Sequence, residues 1–297
     1  MPPIHRTRLA PTPSGYLHIG NALSFALTAA LAQQHRAQTL LRIDDMDRDR
    51  IQPAYIQDIF DTLSFLNIPW TEGPKNITQY EQQYSQHHRL SLYENALQQL
   101  ARQGKVYACT CSRAQILQHN AAGIYPGTCR HKQLPLDTKD AAWRIITDDT
   151  PLQVNTLAQG TVHAQLPPGM QDFIVRKKDG YPAYQLSSVV DDVHFAVDLI
   201  VRGKDLWDAT LAQHFLAIQL QYATFTNAVF YHHPLLMETT EQKLSKSAGA
   251  TSIHYLRTHG HSPAQVYADI AAALPLDGHP STWQELAALV LPNNFYL

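Results

Sequence analysis

The chain has 297 residues, of which 44% are hydrophobic and 16% charged, and its formal net charge at pH 7 is −2. This composition excludes an intrinsically disordered chain, and no stretch of about 20 apolar residues predicts a membrane span. The three cysteines and the absence of an export signal favour a reducing compartment over a disulfide framework. We therefore expect a globular cytoplasmic protein with no membrane partner.

The first 70 residues predict alternating strands and helices. Residues 6–10 read as a short strand, followed by the turn-forming segment 11–15 and a Leu-rich helix at 20–34. A buried strand is predicted at 39–43, and Pro53 is well suited to the first position of a second helix. This alternation is typical of a parallel sheet with crossover helices.

The middle of the chain differs in character. Residues 105–170 contain all three cysteines and many turn residues, which predicts an insertion. A hairpin is predicted at 173–184, followed by a strand at 198–202, a helix at 206–222 and short helices after residue 252. We expect residues 1–104 and 171–247 to form two halves of an α/β domain, with 105–170 as the insertion and 248–297 as a helical C-terminal tail.

One motif lies at the turn from the first strand to the first helix. It runs from Arg8 through Leu-Ala-Pro-Thr-Pro-Ser-Gly-Tyr-Leu to His18-Ile-Gly20-Asn21. A helix N-terminus attracts anions, and Gly20 lets a ligand approach the backbone closely. His18 can donate a hydrogen bond to a phosphate oxygen that gains charge in a transition state. The alternative is an ordinary Pro/Gly turn before a core helix.

A second motif, Lys243-Leu-Ser-Lys246-Ser247, carries two lysines that suit a triphosphate. Alone, this pentapeptide would be an ordinary solvated loop. Together with His18-Ile-Gly-Asn21, in this order, it resembles the paired signatures of class I aminoacyl-tRNA synthetases. The other common phosphate motifs, G-x-x-x-x-G-K-[ST] and G-x-G-x-x-G, do not occur.

Five segments narrow the resemblance to the catalytic half of glutamyl-tRNA synthetases. They are residues 8–15, 41–47 (Leu-Arg-Ile-Asp-Asp-Met-Asp), 70–73 (Trp-Thr-Glu-Gly), 201–206 (Val-Arg-Gly-Lys-Asp-Leu) and 243–247. The 50 residues after Ser247 are too few for an anticodon-binding region, and residues 109–111 read Cys-x-Cys. In both respects the chain is similar to glutamyl-Q tRNA(Asp) synthetases.

This resemblance implies a fold, substrates and partners. The fold is a Rossmann-like class I catalytic domain with a zinc-bearing insertion. The substrates are L-glutamate and ATP with Mg²⁺, which give glutamyl-adenylate. The acceptor is the queuosine base of tRNA(Asp), and we expect the enzyme to be a monomer.

The resemblance also implies roles for individual residues. A glutamate carboxylate suits the planar, bidentate guanidinium of arginine. Glutamate binding is assigned to Arg8, Leu9, Ala10, Pro11, Thr12, Tyr184 and Arg202. Asp44, where the family has a longer Glu, is assigned to the substrate ammonium group; the alternative is that a water molecule or Asp45 shares this contact. ATP binding is assigned to His18, Gly20, Asn21 and Lys246, and catalysis to His18, Lys243 and Lys246.

The cysteines predict a metal site. Cys109, Cys111 and Cys129 offer three thiolate ligands of the kind that tetrahedral zinc prefers. Spacing alone nominates His131 as the fourth ligand, whereas the resemblance implies Tyr125 and one structural zinc. Reduced thiols without a metal are the remaining alternative.

Two basic clusters, residues 130–132 (Arg-His-Lys) and 176–178 (Arg-Lys-Lys), suit an RNA backbone, or form solvated faces. Three rival functions stay open at this point. One is a truncated synthetase that charges tRNA(Glu), and another is a ligase or nucleotidyltransferase that uses no tRNA. The third is a non-catalytic RNA-binding module.

Overall fold

A computed structural model describes residues 3–47, 50–236, 252–274 and 276–291. The helices are α1 (Ile19–His35), α2 (Pro53–Phe65), α3 (Ile77–Gln79), α4 (Leu90–Arg102), α5 (Arg113–His119), α6 (Tyr184–His194), α7 (Trp207–Leu220), α8 (Ala223–Thr226), α9 (Ile253–Thr258), α10 (Pro263–Ala273) and α11 (Trp283–Val290). The strands are β1 (Arg6–Leu9), β2 (Gln38–Leu41), β3 (Val106–Cys109), β4 (Ala142–Ile145), β5 (Leu152–Thr156), β6 (Gly160–Ala164), β7 (Ile174–Arg176), β8 (Leu199–Gly203) and β9 (Val229–His233). None of the helices in these ranges is both long and apolar enough to cross a membrane.

The chain divides into two compact units. The first contains residues 1–86, 199–204 and 231–297, and the second contains residues 87–198 and 205–230. In the first unit the strand order is β2-β1-β8-β9, and β1 pairs in parallel with both β2 and β8. Parallel pairing between strands that are joined by helices confirms the predicted α/β fold. The domain boundaries proposed from the sequence stay a prediction.

Helix α1 is apolar on nearly every side, which is typical of a helix buried in a core. It packs against β1 and β8 on the sheet and against α10 and α11 near the C-terminus. Two further hydrogen bonds join the C-terminal helices to the end of α2. The Tyr267 hydroxyl donates to the Leu66 carbonyl at 2.6 Å, and the Trp283 indole donates to the Asn67 carbonyl at 3.0 Å. The C-terminal helices therefore complete the core of the first unit.

The segment after α2 runs along the outer edge of β2. The amide of Leu41 donates to the Glu72 carbonyl at 2.9 Å, and Gly73 follows with a φ of +94°. A Cβ on Gly73 would lie 2.3 Å from the Leu41 carbonyl oxygen. Only glycine fits there, because the backbone approaches closely and φ is positive.

The second unit contains an antiparallel sheet of order β3-β4-β7 and a pairing of β5 with β6 and with the start of β9. Helices α4, α6 and α7 pack together beside them. The buried carboxylate of Asp191 joins two of these helices. It accepts two hydrogen bonds from the Arg89 guanidinium, at 2.8 and 3.0 Å, and one from the Tyr93 hydroxyl at 2.7 Å.

The hairpin predicted at 173–184 is wrong in its second strand. Strand β7 ends at Arg176, and the returning chain makes one antiparallel bridge, between Arg176 and Pro182. Two hydrogen bonds flank this bridge: the Lys177 amide donates to the Tyr181 carbonyl at 2.8 Å, and the Ala183 amide donates to the Val175 carbonyl at 2.9 Å. Helix α6 then begins at Tyr184.

Candidate functional site

Two arginines lie at the carboxyl ends of neighbouring parallel strands in the first unit. Arg8 is on β1 and Arg202 on β8, and both side chains are buried. The register pairs Thr7 with Leu199, so side-chain alternation puts Arg8 and Arg202 on the same face of the sheet. The carboxyl ends of parallel strands are where open α/β sheets bind ligands.

The chain after β2 follows the end of β1. The amide of Arg42 donates to the Leu9 carbonyl at 2.8 Å, and the amide of Asp44 donates to the Pro11 carbonyl at 2.9 Å. Both carbonyls belong to the segment 9–12 that the sequence assigns to glutamate, in which Thr12 is exposed. This ladder places Asp44 directly beside that segment.

Asp44 is buried and oriented by a neighbouring cation. The Arg42 guanidinium donates to both carboxylate oxygens of Asp44, at 2.7 and 3.0 Å. Asp45 is also buried, but its carboxylate accepts hydrogen bonds from the hydroxyls of Tyr80 and Ser85 and from the Gln86 amide. These three bonds give Asp45 a structural role and leave Asp44 as the better candidate for an ammonium ligand.

His18 caps helix α1 with its side chain. The Gly20 amide donates to His18 Nδ1 at 3.1 Å, and the His18 amide donates to Asn21 Oδ1 at 3.0 Å. A neutral imidazole has one ring hydrogen, so Nδ1 as the acceptor places that hydrogen on Nε2. A cap of this kind orients an exposed N–H donor at a helix N-terminus, where anions bind.

Gly20 is required by the position of the His18 ring. A Cβ on Gly20 would lie 2.9 Å from His18 Cε1 and 3.0 Å from Nδ1. The sequence predicted that this glycine leaves room for a ligand. In the structure, the group nearest to the missing Cβ of Gly20 is the ring of His18.

The assignments of Lys243, Lys246 and Tyr184 are not tested by the described residues of the first unit. Lys243 and Lys246 lie outside the described residues, so their roles stay predictions. Tyr184 is the first residue of α6 in the second unit, and its side chain is exposed. Its assignment to glutamate also stays a prediction.

The three cysteines of the second unit form one cluster. Their Sγ atoms lie within 4.8 Å of one another, with Cys111 and Cys129 3.6 Å apart. The Tyr125 oxygen lies 3.4 Å from Cys109 Sγ and accepts a hydrogen bond from the Cys129 amide at 2.8 Å. A tetrahedral zinc with bonds of about 2.3 Å places its sulfur ligands about 3.8 Å apart, so this donor set fits the ion.

The thiols of the cluster differ in acidity. Burial and the hydrogen bond with Cys129 raise the pKa of Cys111 to about 11. Burial also acts on Cys129, but hydrogen bonds from the Thr110 backbone and from the other two thiols outweigh it and lower its pKa to about 7. His131 is exposed and does not belong to the cluster. The geometry thus favours Tyr125 over His131 as the fourth donor.

Buried side chains support the cysteine cluster. The Arg144 guanidinium lies 3.6 Å from the centre of the Tyr125 ring and donates to the Asp172 carbonyl at 2.7 Å. The Asp172 carboxylate pairs with Arg130 at 3.0 Å and accepts from the Tyr107 hydroxyl at 2.8 Å. Arg130 was predicted from the sequence as an RNA contact. In the structure, its ion pair with Asp172 stabilises the loop that carries Cys129.

The residues of the second basic cluster, 176–178, also contact other residues of the second unit. Lys177 pairs with Asp179 at 2.9 Å, and Lys178 donates to the Thr110 carbonyl at 2.8 Å. The Arg176 guanidinium lies 5.1 Å from the centre of the Trp143 ring. These contacts favour the interpretation as a solvated, self-paired face.

Sequence reasoning did not single out Arg42 or Arg144. Arg42 could have been found, because it lies two residues before Asp44 on an extended segment and so shares its face. Arg144 gave no such signal, since its partner Tyr125 lies on a distant loop.

Comparisons with known proteins agree with this geometry. A family model described as "tRNA synthetases class I (E and Q), catalytic domain" matches residues 5–273. The chain is 35% identical over 281 residues to a Glutamyl-Q tRNA(Asp) synthetase of Symbiobacterium thermophilum, covering 89% of this chain and 84% of that protein. It is 32% identical over 271 residues to Glutamate--tRNA ligase 2 of Syntrophus aciditrophicus, covering 87% of this chain and 55% of that protein.

A solved structure shows the same fold. The crystal structure of a glutamate-tRNA synthetase from Elizabethkingia anophelis matches with a TM-score of 0.73 and 19% identity, covering 96% of this chain and 65% of that one. The chain therefore spans somewhat more than half the length of the glutamate--tRNA ligase reported above and about two thirds of this solved chain.

Proposed function

Because the chain belongs to the class I tRNA synthetases (E and Q), a family of ligases, we propose that it activates L-glutamate with ATP and transfers the glutamyl group to the queuosine base of tRNA(Asp). The observation that carries this proposal is the pair of buried arginines, Arg8 and Arg202, on one face at the carboxyl ends of adjacent parallel strands. Guanidinium groups bind carboxylates bidentately, which suits the γ-carboxylate of glutamate. Asp44 beside the 9–12 segment suits the α-ammonium group.

The first step forms a mixed anhydride. An α-carboxylate oxygen of glutamate attacks the α-phosphorus of ATP, and the bond to the β-phosphate oxygen breaks, which releases pyrophosphate. Mg²⁺ enters with ATP and neutralises part of the triphosphate charge. His18 Nε2–H donates to a phosphate oxygen as charge develops on it, and Lys243 and Lys246 add positive charge.

The second step transfers the acyl group. A hydroxyl oxygen of queuosine attacks the activated carbonyl carbon, the bond to the phosphate oxygen breaks, and AMP leaves with the electron pair of that bond. The hydroxyl proton is released to the departing phosphate or to solvent. The support for queuosine as the acceptor is the similarity to a protein named Glutamyl-Q tRNA(Asp) synthetase along 84% of its length. We further propose that the enzyme works in the cytoplasm as a monomer.

We also propose one structural zinc ion, held by Cys109, Cys111, Cys129 and Tyr125. The donor set of three thiols and one phenol within tetrahedral spacing supports this assignment. The ion would join the β3 end, the loop after α5 and the turn at Cys129 into one body. It takes no part in the two chemical steps.

The test is ATP–pyrophosphate exchange, measured with purified protein in the absence of tRNA. We expect exchange that depends on glutamate and is much weaker with glutamine or aspartate. Transfer of labelled glutamate to tRNA(Asp) that contains queuosine, but not to the same tRNA without it, completes the test. No exchange with or without tRNA would contradict the proposal.

Charging of tRNA(Glu) is a second candidate. The 32% identity to a Glutamate--tRNA ligase favours it. The two candidates differ in their acceptor, so parallel assays with tRNA(Asp) and tRNA(Glu) separate them. Labelling of tRNA(Glu) alone would replace the first proposal with the second.

A further inference from the structure

Asp58 of helix α2 is a buried carboxylate in the first unit, outside the residues assigned above. Its side chain is only 2% exposed. His254 Nδ1 and Arg257 Nη2, both on α9, each lie 3.2 Å from Asp58 Oδ1. Burial raises the pKa of the Asp58 carboxyl, while Arg257 and His254 lower it. A buried carboxylate in such contacts fixes the groups around it.

The same carboxylate also contacts the loop that carries His18. The backbone amide of Leu17 donates a hydrogen bond to Asp58. The Leu17 carbonyl accepts from the Ile253 amide at 2.7 Å, and His18 forms an isolated antiparallel bridge with Ser252. Leu17 is therefore held at both its amide and its carbonyl, immediately before His18.

An aromatic contact strengthens the arrangement. The Tyr16 ring stacks on the His254 ring, with centroids 4.1 Å apart and planes 12° apart. The Tyr55 ring, one turn before Asp58 on α2, packs edge-on against the Tyr16 ring, with the two ring centroids 5.0 Å apart. The two residues before His18 are thus packed against α2 and α9 through Asp58 and its partners.

We propose that Asp58 is a positioning residue for the ATP-dependent step, because its carboxylate fixes Leu17 and through it the imidazole of His18 at the start of α1. This inference rests on the proposed function. The chain of contacts runs from Asp58 Oδ1 to His254 at 3.2 Å, from the His254 ring to the stacked Tyr16 ring, and along the backbone through Leu17 to His18, whose Nδ1 accepts from the Gly20 amide. The Leu17 amide adds a direct bond to Asp58. Loss of the carboxylate would free the loop and misplace the Nε2–H donor relative to the triphosphate.

The principal variant is Asp58→Ala, compared with Asp61→Ala. Asp61 lies on the same helix and pairs with the same Arg257 nitrogen at 3.3 Å, but its side chain is considerably more exposed and the Leu17 amide binds Asp58 instead. In ATP–pyrophosphate exchange, we expect Asp58→Ala to raise the KM for ATP or lower kcat by about tenfold, with the KM for glutamate unchanged. We expect Asp61→Ala to change each constant by less than about twofold.

Hydrogen–deuterium exchange at the Leu17 amide gives a readout that does not need activity. We expect this amide to exchange slowly in the wild type and in Asp61→Ala, and rapidly in Asp58→Ala. The Ile59 amide of α2 should stay slow in all three proteins, which shows that the helix is intact. A Leu17 amide that stays slow in Asp58→Ala, or a KM for glutamate that rises together with that for ATP, would overturn the inference.

Asp58→Asn keeps the inference testable if Asp58→Ala does not fold. Its amide oxygen still accepts from Leu17, so we expect slow Leu17 exchange and a KM for ATP within about threefold of the wild type. A tenfold loss in Asp58→Asn with slow Leu17 exchange would show that charge matters rather than loop position, and would overturn the inference. A wild-type protein without ATP–pyrophosphate exchange would overturn the proposed function, and Leu17 exchange alone would then decide the Asp58 contact.

Discussion

At the start of α1, His18 and Gly20 form a cap that stabilises the helix and also orients the ring of His18. His18 Nδ1 satisfies the Gly20 amide, and this bond determines that the ring hydrogen lies on Nε2. The sequence could predict that His18 precedes a helix that binds phosphate. It could not predict the cap itself, because the ring turns back onto the helix only when residue 20 has no Cβ.

Replacing Gly20 with alanine should separate these two roles. Alanine favours a helix over glycine by about 1 kcal/mol, which offsets the similar cost of losing the His18 cap, so the melting temperature should change little. The new Cβ would lie 2.9 Å from His18 Cε1, which forces the ring away. We expect the KM for ATP in pyrophosphate exchange to rise by about tenfold or more. The control is Gly169→Ala, at a glycine with open space around it, which should leave pyrophosphate exchange unchanged. An equal rise in the KM for ATP in both variants would refute the role of the cap.

The two buried arginines allow a specific test of glutamate recognition. Lysine keeps the positive charge but loses the planar fork, so Arg202→Lys should weaken binding of a carboxylate. We expect the KM for glutamate to rise by about 10- to 100-fold while the KM for ATP stays constant. Arg6→Lys is the matched control, because Arg6 is on β1 but pairs with Glu72 at the sheet edge. A normal KM for glutamate in Arg202→Lys would argue against this assignment.

At the scale of elements, sequence periodicity predicts the first unit well. The strands β1 and β2 and the helices α1 and α2 lie within a few residues of the predicted ranges. Such predictions succeed because apolar spacing and turn residues are local signals. The hairpin predicted near β7 has a second arm too short to be a strand, because the returning chain enters helix α6 at Tyr184 after a single bridge.

The cysteine cluster in the second unit is the proposed zinc site. Spacing in the sequence nominates His131 and the resemblance implies Tyr125; in the structure the Tyr125 hydroxyl lies beside the thiols. We expect about one zinc ion per chain by elemental analysis, retained in His131→Ala and largely lost in Cys111→Ser. Tyr125→Phe should lower zinc affinity by about 10-fold or more, measured by competition with a chelator.

The His131 variant decides between the two candidate fourth ligands. Loss of zinc from His131→Ala together with full retention in Tyr125→Phe would reverse the assignment. The melting temperature of Cys111→Ser should fall with its zinc content, because the ion would link the end of β3 to the loops that carry Tyr125 and Cys129.

At the scale of the whole molecule, the sequence predicts the chemistry of activation better than the identity of the acceptor. The family resemblance implies the grouping of Arg8, His18, Asp44 and Arg202, whereas chain order alone does not show that β8 lies beside β1. RNA recognition depends on surfaces assembled from distant segments. The two basic clusters show this, because both have partners within their own unit.

The acceptor can be decided with tRNA that lacks its 3′-terminal adenosine. An enzyme that attaches glutamate to queuosine uses a hydroxyl in the anticodon loop, where bases of a single-stranded loop are accessible to proteins. We therefore expect truncated tRNA(Asp), and an anticodon stem-loop that contains queuosine, to accept labelled glutamate at rates within about threefold of intact tRNA(Asp). A conventional synthetase needs the terminal ribose, so labelling that disappears with the adenosine would assign this chain to tRNA charging instead. Intact tRNA(Asp) without queuosine is the control, and labelling of it would exclude the modified base as the acceptor.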